Sequence, residues 1–429
     1  MGPLSVSASG EAATPTPRCP HLDWAESGAM ALTGHEHGPP LLPPAGLMRL
    51  LHELRRALPV DLDPALLLGA RAGAAGLTRR GRTSAGGATR LLPAADGWCA
   101  VTLARPDDLE LLPAILGRAD IHDPWDDLAA TARTTKAREL TAHIRMFGVP
   151  AAALPTRPPP PLTEGPPFRT TRIADPAKKP RLDRPLVVDL SSLWAGPLCA
   201  HLLGRAGARI VKVESTRRPD GARAGSPALY DWLHGGHESV AVDFTTAEGR
   251  ADLAELIDAA DVVIEASRPR ALAQLGLAVE RLEHRAGKVW VGITGYGRSH
   301  PDRVAFGDDA AVAGGLVARS QDGPVFCGDA IADPLTGVVA ALGAFTALAR
   351  GGGEFIDVSM RDVAAAFAGT PEAEHGPHPV RRDGDGWSVT CPLLGRTRPV
   401  LPPRPPAPEA PAPAMGADNA LIRALRAPR

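Results

Sequence analysis

The stretch RPLVVDLSSLWAGPLCAHLLGRAGARIVKVE (residues 184–214) decides the fold. Its first apolar run, Leu186–Leu190, is short and uninterrupted, the pattern of a strand buried on both faces. A tight turn follows at Ala195-Gly196-Pro197, then an apolar helix that Gly204 and Gly207 stop, then a second strand, Ile210–Val213, ending on Glu214. Parallel neighbours need a crossover of this length, so the segment reads as a βαβ unit. In open sheets of this kind the first turn borders the ligand crevice. The G-x-G-x-x-G fingerprint is missing, which argues against a dinucleotide in the usual mode, although Glu214 stands where a ribose-binding acid would.

The same alternation continues downstream. Ser239–Phe244, Asp261–Glu265, Val289–Ile293 and Phe355–Val358 read as strands. Thr245 to Glu248 is a capping-box pattern opening a helix that ends near Ala259, and 309–318, 334–349 and 360–368 read as helices. The expected fold class is α/β, with a Rossmann-like, open, mostly parallel sheet over residues 185–370. Upstream, 46–155 reads as a smaller α+β domain, with helices at Leu47–Leu58, Leu109–Leu116 and Ala137–Phe147 and a strand at Trp98–Leu103. Residues 1–45 are rich in Pro, Gly, Ala and Ser and are expected to be disordered. Residues 156–184 read as a Pro-rich linker, and 371–429 as a short Pro-rich tail, extended rather than packed. Asp-Gly-Trp occurs twice, at Asp96–Trp98 and Asp385–Trp387, as chance or a partial duplication would leave it.

With 47 basic against 48 acidic residues, the net charge of −1 predicts neither a nucleic-acid partner nor a basic membrane patch. Two Tyr and eight Phe make a base-stacking platform a poor fit. The five cysteines (19, 99, 199, 327, 391) are widely spaced and odd in number, without a C-x-x-C pair. That pattern suits a reducing cytosol and predicts neither a disulfide framework nor a metal site. The N-terminus has no basic-then-apolar signal pattern, and the longest apolar run, Gly337–Ala349, is short for a bilayer. The expectation is a soluble cytoplasmic protein with no membrane association.

The ordered motifs resemble the class III coenzyme A-transferases, the family of formyl-CoA and carnitine-CoA transferases and α-methylacyl-CoA racemase. The motifs are the opening strand-turn-helix with IVKVE, then SVAVDFTTAEGRADLAELIDAADVVIEASRPRALAQLGL (239–277) and ITGYG (293–297). QDGPVFCGDAIADPLTG (321–337) and EFIDVSMRD (354–362) complete the order. The resemblance covers about 184–370. Residues 86–155, with ADGW and FGVPAAALP, are similar to the family's smaller domain, which follows the large one there and precedes it here, a permuted order.

The resemblance implies a transferase moving CoA between an acyl-CoA donor and a carboxylic acid acceptor through an aspartyl intermediate. It needs no tightly bound cofactor, takes a CoA thioester as substrate, and is expected in a homodimer. The nucleophile maps to Asp322 in Asp322-Gly323-Pro324, with Asp333 as the second carboxylate and amides near Gly323 as oxyanion donors. Asp-Gly-Pro is also an ordinary surface turn, and Asp333-Pro334 an ordinary helix start. Trp194, Ala195, Gly196 and Pro197 would seat the CoA chain, with core packing the alternative for Trp194. Arg217 and Arg268 are the expected phosphate contacts, because the family's basic run before the 239–244 strand is here His234-Gly235-Gly236-His237-Glu238. Asp308 and Asp309 read as helix caps, and no histidine accompanies them as a racemase would require. The rival readings are a non-catalytic CoA-binding paralogue, an acyl-CoA racemase and, from Glu214, an NAD(P)-dependent enzyme.

Overall fold

The computed structural model describes residues 18–43, 46–160, 166–179, 183–371 and 376–426. Three helices come first: α1 (Pro20–Glu26), α2 (Leu47–Arg56) and α3 (Pro64–Ala75). A small α/β unit follows, with β1 (Thr89–Ala94), β2 (Gly97–Thr102), α4 (Pro106–Glu110), α5 (Leu112–Leu116), α6 (Pro124–Thr134), α7 (Ala137–Met146) and β3 (Ala151–Ala153). The central unit runs β4 (Arg169–Arg172), β5 (Leu186–Asp189), α8 (Ala195–Arg205), β6 (Arg209–Ser215), α9 (Pro227–His234), β7 (Glu238–Val242), α10 (Ala247–Ala259) and β8 (Val262–Glu265). It continues through α11 (Pro269–Gln274), β9 (Val289–Thr294), α12 (Gly307–Gly314), β10 (Ala318–Ser320), β11 (Gly323–Val325), α13 (Ala332–Ala349), β12 (Glu354–Ser359) and α14 (Met360–Gly369). The last elements are β13 (Val380–Asp383), β14 (Gly386–Cys391), β15 (Arg396–Pro399) and α15 (Ala420–Arg426).

The seven-stranded sheet has the order β4-β12-β9-β8-β5-β6-β7. Every pairing in it is parallel except that of β4 with β12. The two-residue period of the strands sorts their side chains onto two cores. Val187, Val262, Ile264, Val289, Val291, Ile356 and Val358 face α8 and α13 on one side. Val188, Val263, Trp290 and Phe355 face Leu253, Leu256 and Ile257 of α10 on the other. Burial on both faces explains why these strands read as continuous apolar runs. Thr246, one residue beyond the expected position, caps α10, its hydroxyl accepting from the Gly249 amide at 3.0 Å.

The chain ends depart from expectation. Within the region read as disordered, residues 18–43 contain α1 and are packed: Trp24 is fully buried and Met30 joins the main core. Burying such a side chain contributes about 1.5–3 kcal/mol, which offsets the unfavourable composition around it. The Pro-rich linker supplies β4 to the sheet edge. The tail is extended at 400–408, as expected, but it is packed and carries its own three-stranded sheet, β13-β14-β15. Gly73 explains the packing, because a Cβ there would collide with the Arg404 backbone, so α3 presents a groove to the Pro-rich strand. Each Asp-Gly-Trp closes a hairpin of the same form, β1–β2 and β13–β14.

Two further expectations change. The apolar run at Gly337–Ala349 belongs to the 18-residue α13, which by length and composition could cross a membrane but is mostly buried inside the protein. Sequence spacing predicted no metal-type cluster, yet the fold brings Cys19 and Cys391 together with His378. Spacing along the chain says nothing about a pair joined by tertiary packing.

Candidate functional site

The chain leaves β5 toward β6 and β7 on one side and continues with β8, β9 and β12 on the other. The order therefore reverses between β5 and β8, and the crevice outside their carboxyl ends is where such sheets bind ligands. The Ser191–Trp194 loop and the start of α8 form one wall, and Ala266–Arg268 the other. A Cβ on Gly196 would overlap the Ser191 side chain, so this position admits only glycine.

Buried charges hold that loop. Asp189 Oδ1 accepts from the Ser191 amide at 2.9 Å and from the Ser191 hydroxyl. Lys212 Nζ donates to the Ser191 carbonyl and, at 3.0 Å, to Asp220. Asp220 Oδ1 in turn accepts from the Leu193 amide at 3.0 Å, holding Leu193 at φ +71°. A non-glycine residue there costs on the order of 1–3 kcal/mol, which the surrounding network sustains. Burial works against the Lys212 charge, but Asp189 and Asp220 outweigh it and keep its pKa raised. Glu214 is bridged by Arg223 and accepts from the Asp220 amide at 2.9 Å, so it braces this network rather than offering itself to a ribose.

Beside the turn lies a buried acid cluster at the starts of α12 and α13. Asp329 and Asp309 are fully buried, and Asp308 is nearly so. Asp333 is only partly exposed. Asp308 accepts from the Ala330 amide at 3.0 Å, with Ala330 held at φ +43°. Asp309 accepts from Phe306 and from Thr102 of β2, and its second oxygen has no hydrogen-bond partner. Burial, followed by the neighbouring acids, pushes Asp333 up to about 7. Burial likewise raises Asp308 to about 6 and Asp309 to about 7. One cation answers the cluster: Arg71 of α3 binds Asp329 through two nitrogens, one at 2.9 Å. Its guanidinium also lies 5.7 Å from the Trp194 ring, which joins the acid cluster to the turn.

The residues singled out in the sequence fall in different places. Trp194, Ala195, Gly196 and Pro197 lie together at the start of α8, all buried, so Trp194 does pack in the core while bordering the crevice. Arg268 caps α11 on the opposite wall; partial burial lowers its pKa, and the positive charges of Arg270, Arg105 and Arg218 add to the effect. Of these, Arg105 is held by Asp108 at 2.8 Å and Arg270 pairs with Asp302 at 3.9 Å. Arg217 is exposed and bound to Asp243 at 2.8 Å. Asp333 stands in the acid cluster, but Asp322 sits at the exposed tip of the β10–β11 hairpin. The Asp322 carbonyl accepts from Arg82, and Gly323 packs on Trp98. Asp322-Gly323-Pro324 therefore has the surface-turn geometry.

His234 and His237 are buried rather than solvated. Burial, reinforced by Lys212 and neighbouring imidazoles, pushes His237 down to about 3 and His234 lower still. Neutral buried imidazoles are poor phosphate contacts. Arg71, Asp329 and Arg105 went unnoticed in the sequence. Arg71 did leave a signal, as the one charged residue of the otherwise apolar helix PALLLGARAGAA. Arg105 left none, since it approaches Arg268 from the small unit.

Residues 182–391 match the model of CoA-transferase family III. An acyl-CoA transferase of Fusarium pseudograminearum is 35% identical over 41% of this chain and 44% of its own length. A succinyl-CoA–D-citramalate CoA-transferase of Chloroflexus aurantiacus is 30% identical over 48% of this chain and 56% of its own. The crystal structure of a hypothetical protein from Mycobacterium tuberculosis aligns with a TM-score of 0.44 at 28% identity, over 51% of this chain and 65% of that one. The chain spans about half the length of the curated relatives it matches.

Proposed function

Because residues 182–391 match the model of CoA-transferase family III, we propose that the protein transfers CoA from an acyl-CoA to a carboxylic acid, with Asp333 as the covalent nucleophile. The observation that carries this reading is the partly exposed Asp333 carboxylate, raised to about 7 at the start of α13 beside the switch-point crevice. A carboxylate made this basic by its surroundings is a better nucleophile than one in water. Asp322, at an exposed turn, has no such surroundings.

In this reading the Asp333 carboxylate attacks the thioester carbonyl, the C–S bond breaks, and the CoA thiolate leaves a mixed anhydride. The thiolate then attacks the Asp333 acyl carbon, releasing the donor acid and leaving an aspartyl-CoA thioester. The acceptor carboxylate repeats the two steps in reverse order. The Gly307 amide, hydrogen-bonded to Asp333, orients the carboxylate. Arg71 limits the charge of the cluster, and Arg218 and Arg268 would meet the nucleotide phosphates. The small unit that precedes the sheet is the permuted counterpart of the family's second domain, and the active form is a homodimer. Gly307-Asp308-Asp309 offers carboxylates where a racemase needs an imidazole.

The test is hydroxylamine trapping after incubation with acyl-CoA, followed by peptide mass spectrometry. A hydroxamate on Asp333 supports the assignment; one on Asp322, with Asp333→Asn retaining full activity, overturns it. Since Asp333 must be ionised to attack, kcat/KM for acyl-CoA should rise with pH through about 7 and then level off.

A further inference from the structure

We propose that Cys19, His378 and Cys391 form a zinc site that clasps the start of the described chain to its C-terminal sheet. The three donors come from separate elements: Cys19 precedes α1, His378 precedes β13, and Cys391 ends β14. Their ligand atoms lie within 4.8 Å of one another, and Cys19 Sγ stands 3.1 Å from His378 Nε2. All three side chains are buried. Tetrahedral zinc has bonds of about 2.3 Å to sulfur and about 2.0 Å to nitrogen, so its ligands sit roughly 3.5–3.8 Å apart. The cluster meets that spacing with small side-chain adjustments.

The chemistry of the donors favours a soft dication. On binding zinc, each thiol releases a proton, and the two thiolates balance the dication, leaving a neutral buried centre. The His21 ring stacks on His378 with centroids 3.9 Å apart, and the three donors leave the fourth tetrahedral position to a water. Two thiolates and an imidazole select zinc over calcium or magnesium.

The site has a mechanical consequence. α1 packs against β14 and β15, and Arg398 pairs with Glu26 at 3.1 Å across the same boundary. A metal there would fasten both chain ends over the main core, away from the Asp333 cluster.

The test uses the full chain purified under reducing conditions with zinc present. Elemental analysis is expected to find about one zinc per chain, falling at least about fivefold in Cys19→Ser and in Cys391→Ser. Cobalt substitution should produce a thiolate-to-cobalt charge-transfer band that Cys391→Ser loses. Should the cysteine variants fail to fold, the wild-type chain decides: a chelator should lower its melting temperature, and zinc but not magnesium should restore it. Wild-type zinc content equal to that of the variants, or a Cys19–Cys391 disulfide with no bound metal, overturns the proposal.

Discussion

Replacing Arg71 by methionine tests how the acid cluster is held. The substitution keeps the aliphatic stem packed in α3 and removes the guanidinium that binds Asp329. Asp329 is fully buried, so its carboxylate would be left without its ion-pair partner. Breaking a buried pair from one side costs about 3–5 kcal/mol. Arg71 is 33% exposed, so water can partly replace the lost charge, and we expect roughly 2–3 kcal/mol. Arg71 also lowers the pKa of Asp308 and Asp333, against the burial that raises them. Near pH 5 those two acids are largely protonated and add little; near pH 8 both carry charge, and the variant has no Arg71 to offset it. The loss should therefore grow with pH. Urea unfolding of wild type and Arg71→Met at about pH 5 and about pH 8 measures it. Arg71→Met/Asp329→Asn should recover most of the stability, since the stranded charge is then gone. A single variant within about 0.5 kcal/mol of wild type at both pH values would refute this account of the cluster.

Two further outcomes follow from the same geometry. Asp309 is raised from 3.8 to about 7, so folding holds its proton more tightly than the unfolded chain does, and its contribution is lost as pH rises from about 4 to about 7. Asp309→Asn should match wild type near pH 4 and exceed it by about 4 kcal/mol near pH 8; a gain independent of pH would contradict the burial argument. Gly196→Ala should destabilise by about 1–3 kcal/mol through its overlap with Ser191, and Ser191→Gly on that background should recover part of the loss in melting temperature. An unchanged melting temperature for Gly196→Ala would show that the loop can move aside.

The parallel sheet was legible because burial on both faces leaves a local record. Val187–Val188, Val262–Ile264 and Val289–Ile293 are apolar runs whose length and flanking turns say strand without reference to anything distant. The loop after the first strand was readable as to its edge of the sheet, but it turns at Ser191–Trp194, and Ala195-Gly196-Pro197, read as the turn, open α8 instead. Composition misled at the chain ends: Trp24 and the extended 400–408 segment are ordered by contacts with α2, α3 and the sheet core, which proline and alanine content cannot register.

The sequence by itself determined the βαβ alternation and the ordered motifs that resemble the class III CoA-transferases, because these reside in local period and in motif order. The resemblance ranked Asp322 first, as nucleophile, and Asp333 second. Only the tertiary structure separated exposed Asp322 from Asp333, because burial and the company of Asp308, Asp329 and Arg71 depend on elements far apart in the chain. The same reason applies to Cys19, His378 and Cys391, and to Arg105 beside Arg268. A desolvated charge or a convergent donor set is a property of the space around a residue, and that space is assembled by packing.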